Sequence, residues 1–186
     1  MSQEVEIKFW IADPRSLRRA LRQDAFRLQT RRRHEFNTLY DLPRQALRRK
    51  GELLRLRKYG SQWILTHKGK GKVGRHKSRT ETEVRLIEGA QMEHLLRNLG
   101  YRPSFRYEKY REEWSDGMGH VVIDETPIGI LGEIEGAPRW IDRTAKTLGI
   151  EHRQYLTASY AELFYDWKKR TRSPATAMTF RAVGKR

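Results

Sequence analysis

Charged side chains recur two residues apart in several short segments of this chain. Residues two apart on a β-strand project from the same face, so each segment would present its charges in one direction. In chain order they are Glu4, Glu6 and Lys8; Arg55 and Arg57; Lys68; Arg79, Glu81, Glu83 and Arg85; Lys109, Arg111 and Glu113; Asp124; Glu133 and Glu135. Carboxylates are ligands that Mg²⁺ and Mn²⁺ prefer, and guanidinium and ammonium groups bind phosphate oxygens. The pattern therefore favours a site for a metal–polyphosphate complex.

The alternative is that these charges form the solvated outer face of an ordinary sheet. Two features favour an enclosed surface instead. The apolar positions of the same strands can pack under helices, which leaves the charged positions to face one another if the sheet closes. The ends of the chain supply carboxylates and its middle supplies mostly Lys and Arg, and neither set could be buried cheaply without the other.

The composition narrows the kinds of partner and compartment. The 186 residues suit one domain, and 39 Lys and Arg against 23 Asp and Glu give a net charge of +16, which implies an anionic partner. Cysteine is absent, so disulfides and thiolate metal sites are excluded. No signal peptide and no apolar run of the ~20 residues that a membrane span needs is present, so we expect a cytoplasmic protein without a membrane partner.

Hydrophobic periodicity and turn residues predict eight strands and several helices. The strands are expected over 4–11, 27–40, 52–59, 62–68, 79–86, 106–114, 120–125 and 128–135. A helix should open at Asp13-Pro14, a helical turn should span 43–50, and further helices should span 89–98, 138–148 and 157–168. Against these helices we expect burial of Val5, Ile7, Phe9, Val84, Leu86 and Ile134. Residues 171–186 carry four basic residues and no acid, which predicts a flexible tail.

Several blocks resemble the CYTH, or triphosphate tunnel metalloenzyme, superfamily. The first is EVEIK at 4–8, followed in the family's order by NTLYDLPRQALRRKGELLRLR, LTHKG, RTETE, KYR, IDETPIGILGEIEG and SYAELF. Together they extend over nearly the whole chain. The resemblance implies an α+β protein with a closed eight-stranded antiparallel β-barrel, helices outside it, and a domain over 1–170.

The resemblance also implies roles for individual residues. Phosphate binding falls to Lys8, Arg55, Arg57, Lys68, Lys109 and Arg111, with Arg79 and Arg85 on the same face. Metal binding, to Mg²⁺ or Mn²⁺, falls to Glu4, Glu6, Asp124, Glu133 and Glu135. Catalytic roles fall to Glu4, Glu6 and Lys8, with Glu81 and Glu83 assisting directly or through water.

The family includes inorganic triphosphatases, thiamine triphosphatases and class IV adenylate cyclases, and all three activities stay open. Thiamine triphosphatases of the mammalian type carry a thiazole-stacking Trp before the paired-arginine strand, where this chain has Leu53. No set of residues specifies a nucleoside base, so hydrolysis of inorganic tripolyphosphate is favoured. A nucleic-acid-binding protein is the non-enzyme alternative, suggested by the charge and by Arg31-Arg32-Arg33, but paired carboxylates would repel a phosphate backbone. The protein is expected as a monomer or a homodimer.

Overall fold

The computed structural model describes residues 2–184, which form nine strands and six α-helices. The strands are β1 (Ser2–Trp10), β2 (Arg27–Asp41), β3 (Leu53–Tyr59), β4 (Gln62–Lys68), β5 (Lys72–Val73), β6 (Lys77–Leu86), β7 (Arg102–Ser115), β8 (Gly119–Thr126) and β9 (Gly129–Gly136). The helices are α1 (Pro14–Gln23), α2 (Ala46–Lys50), α3 (Gly89–Asn98), α4 (Pro138–Thr147), α5 (Tyr160–Thr171) and α6 (Phe180–Val183). In these residues no helix is both long and apolar enough to cross a membrane.

Eight of the strands close into an antiparallel barrel. The hydrogen-bonded order is β1-β9-β8-β7-β2-β3-β4-β6, and β6 returns to pair with β1. At this closure Glu4 lies opposite Arg79 and Glu6 lies opposite Lys77, while on the other side of β1 Glu6 lies opposite Glu135. The two-residue β5 pairs with the start of β6 and stands outside the ring. The predicted closed eight-stranded barrel with external helices is confirmed.

Helices α1 and α4 cover one side of the barrel and bury its largest apolar cluster. Ile7, Phe9 and Ile134 pack there, as the alternation of β1 and β9 predicted, together with Leu21 and Trp140. A Cβ built on Gly132 would lie 2.1 Å from the Phe9 ring, so only glycine leaves room for that ring on the neighbouring strand. The apolar face of each strand thus points outward to the helices, which leaves the charged face for the interior.

The helices outside the barrel do not fully cover β6. Leu86 packs with α3 through Leu96 and Met92, and Val5 packs against the cluster beneath α4, but both remain partly exposed. Val84, which we expected to be buried, is 54% exposed. Its prediction was wrong because alternation assigns a face of a strand, and no helix covers this part of that face.

The end of the chain differs from the expected flexible tail. After α5, residues up to 184 fold back on β7: Met178 bridges Tyr107 with backbone hydrogen bonds of 3.0 Å to Arg106 and Glu108. Ala175 and Met178 are buried in the apolar cluster beneath α5. The basic residues of this segment led to the prediction of a flexible tail, although the two apolar side chains Ala175 and Met178 anchor it. Lys185 and Arg186, also assigned to the tail, lie outside the described residues.

Candidate functional site

The barrel encloses a cavity of about 630 Å³ whose wall is densely charged. Most of the predicted site residues line it: Glu4, Glu6, Lys8, Arg55, Arg57, Lys68, Arg79, Lys109, Arg111, Glu133 and Glu135. These side chains come from six strands distant in sequence, and the barrel brings them together because each occupies an inward position of its strand. We call this cavity the tunnel. Asp124, Glu81, Glu83 and Arg85 do not line it.

Two lysines bridge carboxylates across the β1 side of the tunnel. The Nζ of Lys8 lies 2.6 Å from Glu6 and 3.3 Å from Glu133, and the Nζ of Lys68 lies 2.5 Å from Glu4 and 3.1 Å from Glu81. Burial alone would lower the pKa of Lys8, but Glu133 and Glu6 outweigh burial and raise it. Burial alone would raise the pKa of Glu4, and Lys68 and Lys8 instead lower it.

The opposite wall is organised by Glu35 of β2, which the sequence analysis did not assign. Glu35 is fully buried, and its carboxylate lies 3.5 Å from Arg57, 3.6 Å from Lys109 and 4.0 Å from Arg111. The side-chain amide of Asn37 donates a hydrogen bond to it at 2.9 Å. Burial would raise the pKa of Glu35, yet Arg57 and Lys109 hold it well below its usual range. The two-residue spacing of Glu35 and Asn37 could have revealed them.

Asp124 of β8 lies beneath the tunnel wall and is fully buried. Lys109 donates to its carboxylate at 2.8 Å, and Arg111 donates at 2.8 and 2.6 Å. The hydroxyl of Tyr160, at the start of α5, donates a further short hydrogen bond. These four donors satisfy both oxygens, so Asp124 positions Lys109 and Arg111 for the cavity. Tyr160 lies within the block SYAELF, but no chemical pattern in that block singles it out.

The two acidic residues of β6 hold cations of the neighbouring strands. Glu83 accepts hydrogen bonds from Arg55 at 3.3 Å and from Thr66 at 2.7 Å, and Glu81 lies 3.7 Å from Arg55. Burial raises the pKa of Glu81. Arg85, near the other end of β6, is exposed and forms no salt bridge with any described residue. The structure thus does not bring Arg85 into the tunnel.

Among the four carboxylates of β1 and β9 in the tunnel, Glu4, Glu6, Glu133 and Glu135, Glu135 forms no salt bridge with a described residue. Burial and the nearby charges of Glu4, Glu133 and Glu6 together raise the pKa of Glu135 to about 7. These four carboxylates supply only oxygen donors, the set that Mg²⁺ and Mn²⁺ require. No three acidic or histidine side chains in the described part of the chain already converge to hold an ion. Lys8 and Lys68 now neutralise three of the four, and the excess negative charge at Glu135 fits a divalent cation.

Two tunnel cations at the start of β6 form no salt bridge in residues 2–184, in contrast to Lys8, Arg55, Arg57, Lys68, Lys109 and Arg111. Lys77 lines the tunnel, is 7% exposed and forms no salt bridge or hydrogen bond with another described side chain. Burial and the nearby charges of Arg79 and Lys8 together lower the pKa of Lys77 to about 8, against the opposite effect of Glu6 and Glu162. The Nε of Arg79 is buried without a hydrogen-bond acceptor. Lys77 was absent from the sequence prediction because it lies at the end of a Gly-rich loop segment.

Aromatic side chains close one part of the tunnel, but most of their faces are covered. Tyr107 stacks on Tyr160 with ring centroids 5.4 Å apart, and Phe105 contacts Phe164 at 5.6 Å. The ammonium of Lys109 lies 4.4 Å from the Tyr160 centroid. Leu53 lines the cavity at the position where a thiazole-stacking Trp was considered. These rings stabilise the α5 contact, and of the aromatic residues lining the cavity Tyr165 is the exposed one, at 44%.

Comparison with known proteins supports the resemblance. The CYTH domain profile matches residues 2–137. A search of curated proteins found no match. A Vibrio parahaemolyticus protein described as a candidate adenylate cyclase superposes with a TM-score of 0.77 at 19% identity, over 87% of this chain and 97% of that one. A Pyrococcus horikoshii protein superposes with a TM-score of 0.74 at 25% identity, over 88% and 98% of the two chains.

A third structure, from Hippeastrum, is described as a candidate adenylyl cyclase with a dominant triphosphatase activity. It superposes with a TM-score of 0.62 at 18% identity, over 88% of this chain and 95% of that one. At this identity it shows the shared fold alone. The profile match covers most of the chain and includes all nine strands that build and flank the tunnel. The protein belongs to the CYTH family.

Proposed function

We propose that the protein hydrolyses a triphosphate substrate in a metal-dependent reaction, with inorganic tripolyphosphate as the favoured substrate. The observation that carries the proposal is the enclosed wall of cations facing a carboxylate cluster with excess negative charge at Glu135. Phosphoryl transfer requires mainly positioning and charge neutralisation, and this wall supplies both.

Six cations would hold the phosphate groups: Lys8, Arg55, Arg57, Lys68, Lys109 and Arg111. Each is held in place by a carboxylate, so its orientation is fixed before substrate arrives. Glu35 and Asp124 act here as positioning residues, and so do Glu81 and Glu83 through Arg55 and Lys68. An arriving phosphate accepts hydrogen bonds from the same donors, so a cation that leaves its carboxylate gains a new partner. This exchange lowers the free-energy cost of breaking the salt bridge.

Glu4, Glu6, Glu133 and Glu135 would hold Mg²⁺ or Mn²⁺. A divalent cation bound there would neutralise phosphate charge and strengthen the electrophilic character of the phosphorus. Lys8 and Lys68 contact three of these carboxylates, so a lysine that turns toward phosphate frees a carboxylate for the metal. Metal and phosphate would therefore bind cooperatively. A metal bound to the carboxylates would release the lysines for phosphate, and a phosphate bound to the lysines would release the carboxylates for the metal.

The coverage of Phe105, Tyr107 and Tyr160 favours a substrate without an organic group, and Tyr165 is the exposed ring of the cavity. A class IV adenylate cyclase must hold a nucleoside at the tunnel and present the ribose hydroxyl to the α-phosphorus. Phe105 and Tyr107 are engaged by α5, and Leu53 offers no stacking surface for thiazole. The triphosphatase activity described for the Hippeastrum neighbour supports hydrolysis as the reaction, and the choice of substrate rests on this chain's own residues.

The test is a release assay with tripolyphosphate, thiamine triphosphate and ATP, each with Mg²⁺ or Mn²⁺ and with excess chelator, and a parallel assay for cyclic AMP. We expect tripolyphosphate to give the highest kcat/KM, by about tenfold or more, which needs ~1.4 kcal/mol of differential transition-state binding. Activity should vanish with chelator. If cyclic AMP and pyrophosphate form from ATP faster than phosphate is released from tripolyphosphate, the protein is a cyclase and not a hydrolase. Full activity in excess chelator would show that the reaction does not depend on metal.

The cationic wall is tested by Arg57→Ala, with Arg15→Ala on the exposed face of α1 as the control. Arg57 should lose at least about tenfold in kcat/KM for tripolyphosphate, because a phosphate loses a guanidinium donor. Arg57→Lys should recover only part of the loss, since the planar fork is missing. Equal effects of Arg57→Ala and Arg15→Ala would refute the assignment of this wall.

A further inference from the structure

A stripe of arginines lies on the outside of the barrel, on helix α1. The helix carries four of them at spacings of three and four residues, which places all four within about 100° of arc around its axis: Arg15, Arg18, Arg19 and Arg22. On the other side of α1, Leu17 and Leu21 are buried in the apolar cluster that α1 and α4 cover. The buried leucines fix the orientation of the helix, so its arginine stripe is presented on the surface.

The stripe continues onto the first half of β2 through a shared carboxylate. The guanidinium of Arg18 lies 3.5 Å from one oxygen of Glu125 on β8, and the guanidinium of Arg32 on β2 lies 2.8 Å from the other oxygen. Strand β2 also exposes Arg27 and Arg31 in the same half. We give the name arginine face to the surface formed by Arg15, Arg18, Arg19, Arg22 and Arg32.

The arginine face carries more positive charge than its own carboxylates neutralise. Arg15, Arg19 and Arg22 are exposed and form no salt bridge in residues 2–184. Asp13, which begins the helix, accepts a hydrogen bond from the backbone N–H of Arg15 at 2.9 Å. Residues 13–33 contain eight arginines, two aspartates and no lysine. A guanidinium donates two parallel hydrogen bonds to a phosphate group, so this face is suited to a partner with many phosphates.

We propose that the arginine face binds the phosphate backbone of a double-stranded nucleic acid, independently of base sequence. A helix of 10 residues such as α1 extends about 15 Å, and one strand of a duplex carries about four phosphates over that length. Arginines spaced along the helix can therefore contact successive phosphates and release their counter-ions. None of the arginines of the face lines the tunnel. The paired carboxylates that argued against a nucleic acid lie inside the barrel, where a duplex bound outside does not meet them.

The rings and the apolar residues around this face favour a duplex over a single strand or a membrane. A single strand is bound through aromatic rings on which its bases stack. Trp114 and Trp140 beneath the face are buried, and the guanidinium of Arg32 covers Tyr110 at 3.6 Å from the ring centroid. A helix that lies in a membrane surface inserts its apolar side into the lipid. Helix α1 buries that side, including Leu21, against the barrel.

The test measures the binding of labelled duplexes of about 20 base pairs, one of DNA and one of RNA, by fluorescence anisotropy between about 50 and 200 mM salt. The face variant Arg15→Ala/Arg19→Ala/Arg22→Ala should bind both duplexes about tenfold more weakly than the wild-type protein at the lowest salt. The slope of log affinity against log salt concentration should also become shallower by about two to three, because each phosphate contact contributes about 0.9. Lysine at the same three positions keeps the charge and should restore most of the slope.

Two control variants separate the arginine face from the net charge and from the tunnel. Lys169→Ala/Arg170→Ala/Arg181→Ala removes the same charge from exposed positions of α5 and α6, on another side of the barrel. Arg57→Ala removes a cation of the tunnel wall. Both controls should bind the duplexes as the wild-type protein does, and thermal melts verify that all the variants are folded.

Absence of binding to both duplexes at the lowest salt would overturn the proposal, and so would an equal loss of affinity in the face variant and the charge-matched control. A loss in Arg57→Ala as large as in the face variant would show that the duplex binds at the tunnel. Tighter binding of a single strand of the same length would overturn the assignment to a duplex. If vesicles of equal parts phosphatidylcholine and phosphatidylserine bind the wild-type protein but not the face variant, and the duplexes do not bind, the face contacts a membrane instead.

Discussion

Glu135 differs from Glu4, Glu6 and Glu133, the other tunnel carboxylates of β1 and β9, because no described cation forms a salt bridge with it. Its pKa, raised to about 7 by burial and by Glu4, Glu133 and Glu6, lies above the value of about 4.5 that a glutamate has in an unfolded chain. Between these values the folded protein holds a proton that the unfolded chain has lost. Stability contributed by this residue therefore falls as the pH rises from about 4.5 to about 7.

The first residue-scale prediction compares Glu135→Gln with the wild-type protein in thermal melts with chelator. At pH 5 the two should have similar Tm values, because the carboxyl is protonated in the fold and resembles an amide. At pH 8 the variant should be more stable by roughly 1–3 kcal/mol, because the ionised carboxylate repels its neighbours. Glu151→Gln, at an exposed site, is the control. Identical stability of Glu135→Gln and wild type at pH 8 would contradict the charge excess.

The same melts test the metal. Added Mg²⁺ should raise the Tm of the wild-type protein at pH 8, since a ligand that binds only the folded state stabilises it. The rise should be smaller in Glu135→Gln, which loses a charged oxygen donor. An equal rise in Tm for both proteins would show that Mg²⁺ binds at a site that does not include Glu135.

At the scale of elements, alternation predicted the strands that build the tunnel and the direction of their charges. It succeeded in β1 and β9 because both faces of these strands carry a regular pattern. On β6 it was only partly right, since Arg79 lines the tunnel but Arg85 does not and Val84 is exposed. It did not show Glu35, since the surrounding run RRRHEFN is so basic that the acid reads as a surface residue. It also did not show Tyr160, whose hydroxyl meets Asp124 only after α5 has docked on the barrel. The residue pattern of one strand or helix predicts which of its faces is buried. Predicting a contact between two elements also requires knowledge of how the barrel closes.

The segment after α5 gives an element-scale prediction. Met178→Ala should lower the free energy of unfolding by about 2–5 kcal/mol, because it removes a fully buried side chain from the cluster beneath α5. Met118→Ala is the matched control, because Met118 is 68% exposed and should change stability by less than about 0.5 kcal/mol. Denaturant unfolding measures both. If Met178→Ala changed stability by the same small amount as Met118→Ala, the flexible tail predicted from the sequence would be supported.

At the scale of the whole molecule, the net charge of +16 is distributed unequally between inside and outside. The inner wall is largely neutralised by its own carboxylates. The exposed cavity-lining cations Arg48, Arg49, Lys50 and Lys70 form no salt bridge in residues 2–184, and the exposed arginines of α1 and β2 are mostly unpaired. A low-dielectric barrel with an uncompensated positive opening concentrates the field at that opening. The fold therefore attracts polyanions toward the tunnel before any specific contact forms.

This field predicts that kcat/KM for tripolyphosphate depends on salt, whereas kcat at saturating substrate changes little. Raising the ionic strength from ~0.01 M to ~0.15 M shortens the Debye length from ~30 Å to ~8 Å, so long-range attraction is lost. The expected fall in kcat/KM is about tenfold, within the range for electrostatically steered capture. Contacts inside the barrel are screened much less, because salt ions do not surround them. Steady-state rates at a fixed free Mg²⁺ concentration measure both parameters. A kcat/KM that stays constant across this range would show that the net charge has no part in substrate capture, and an equal fall in kcat would locate the salt effect at the reacting site instead of the opening.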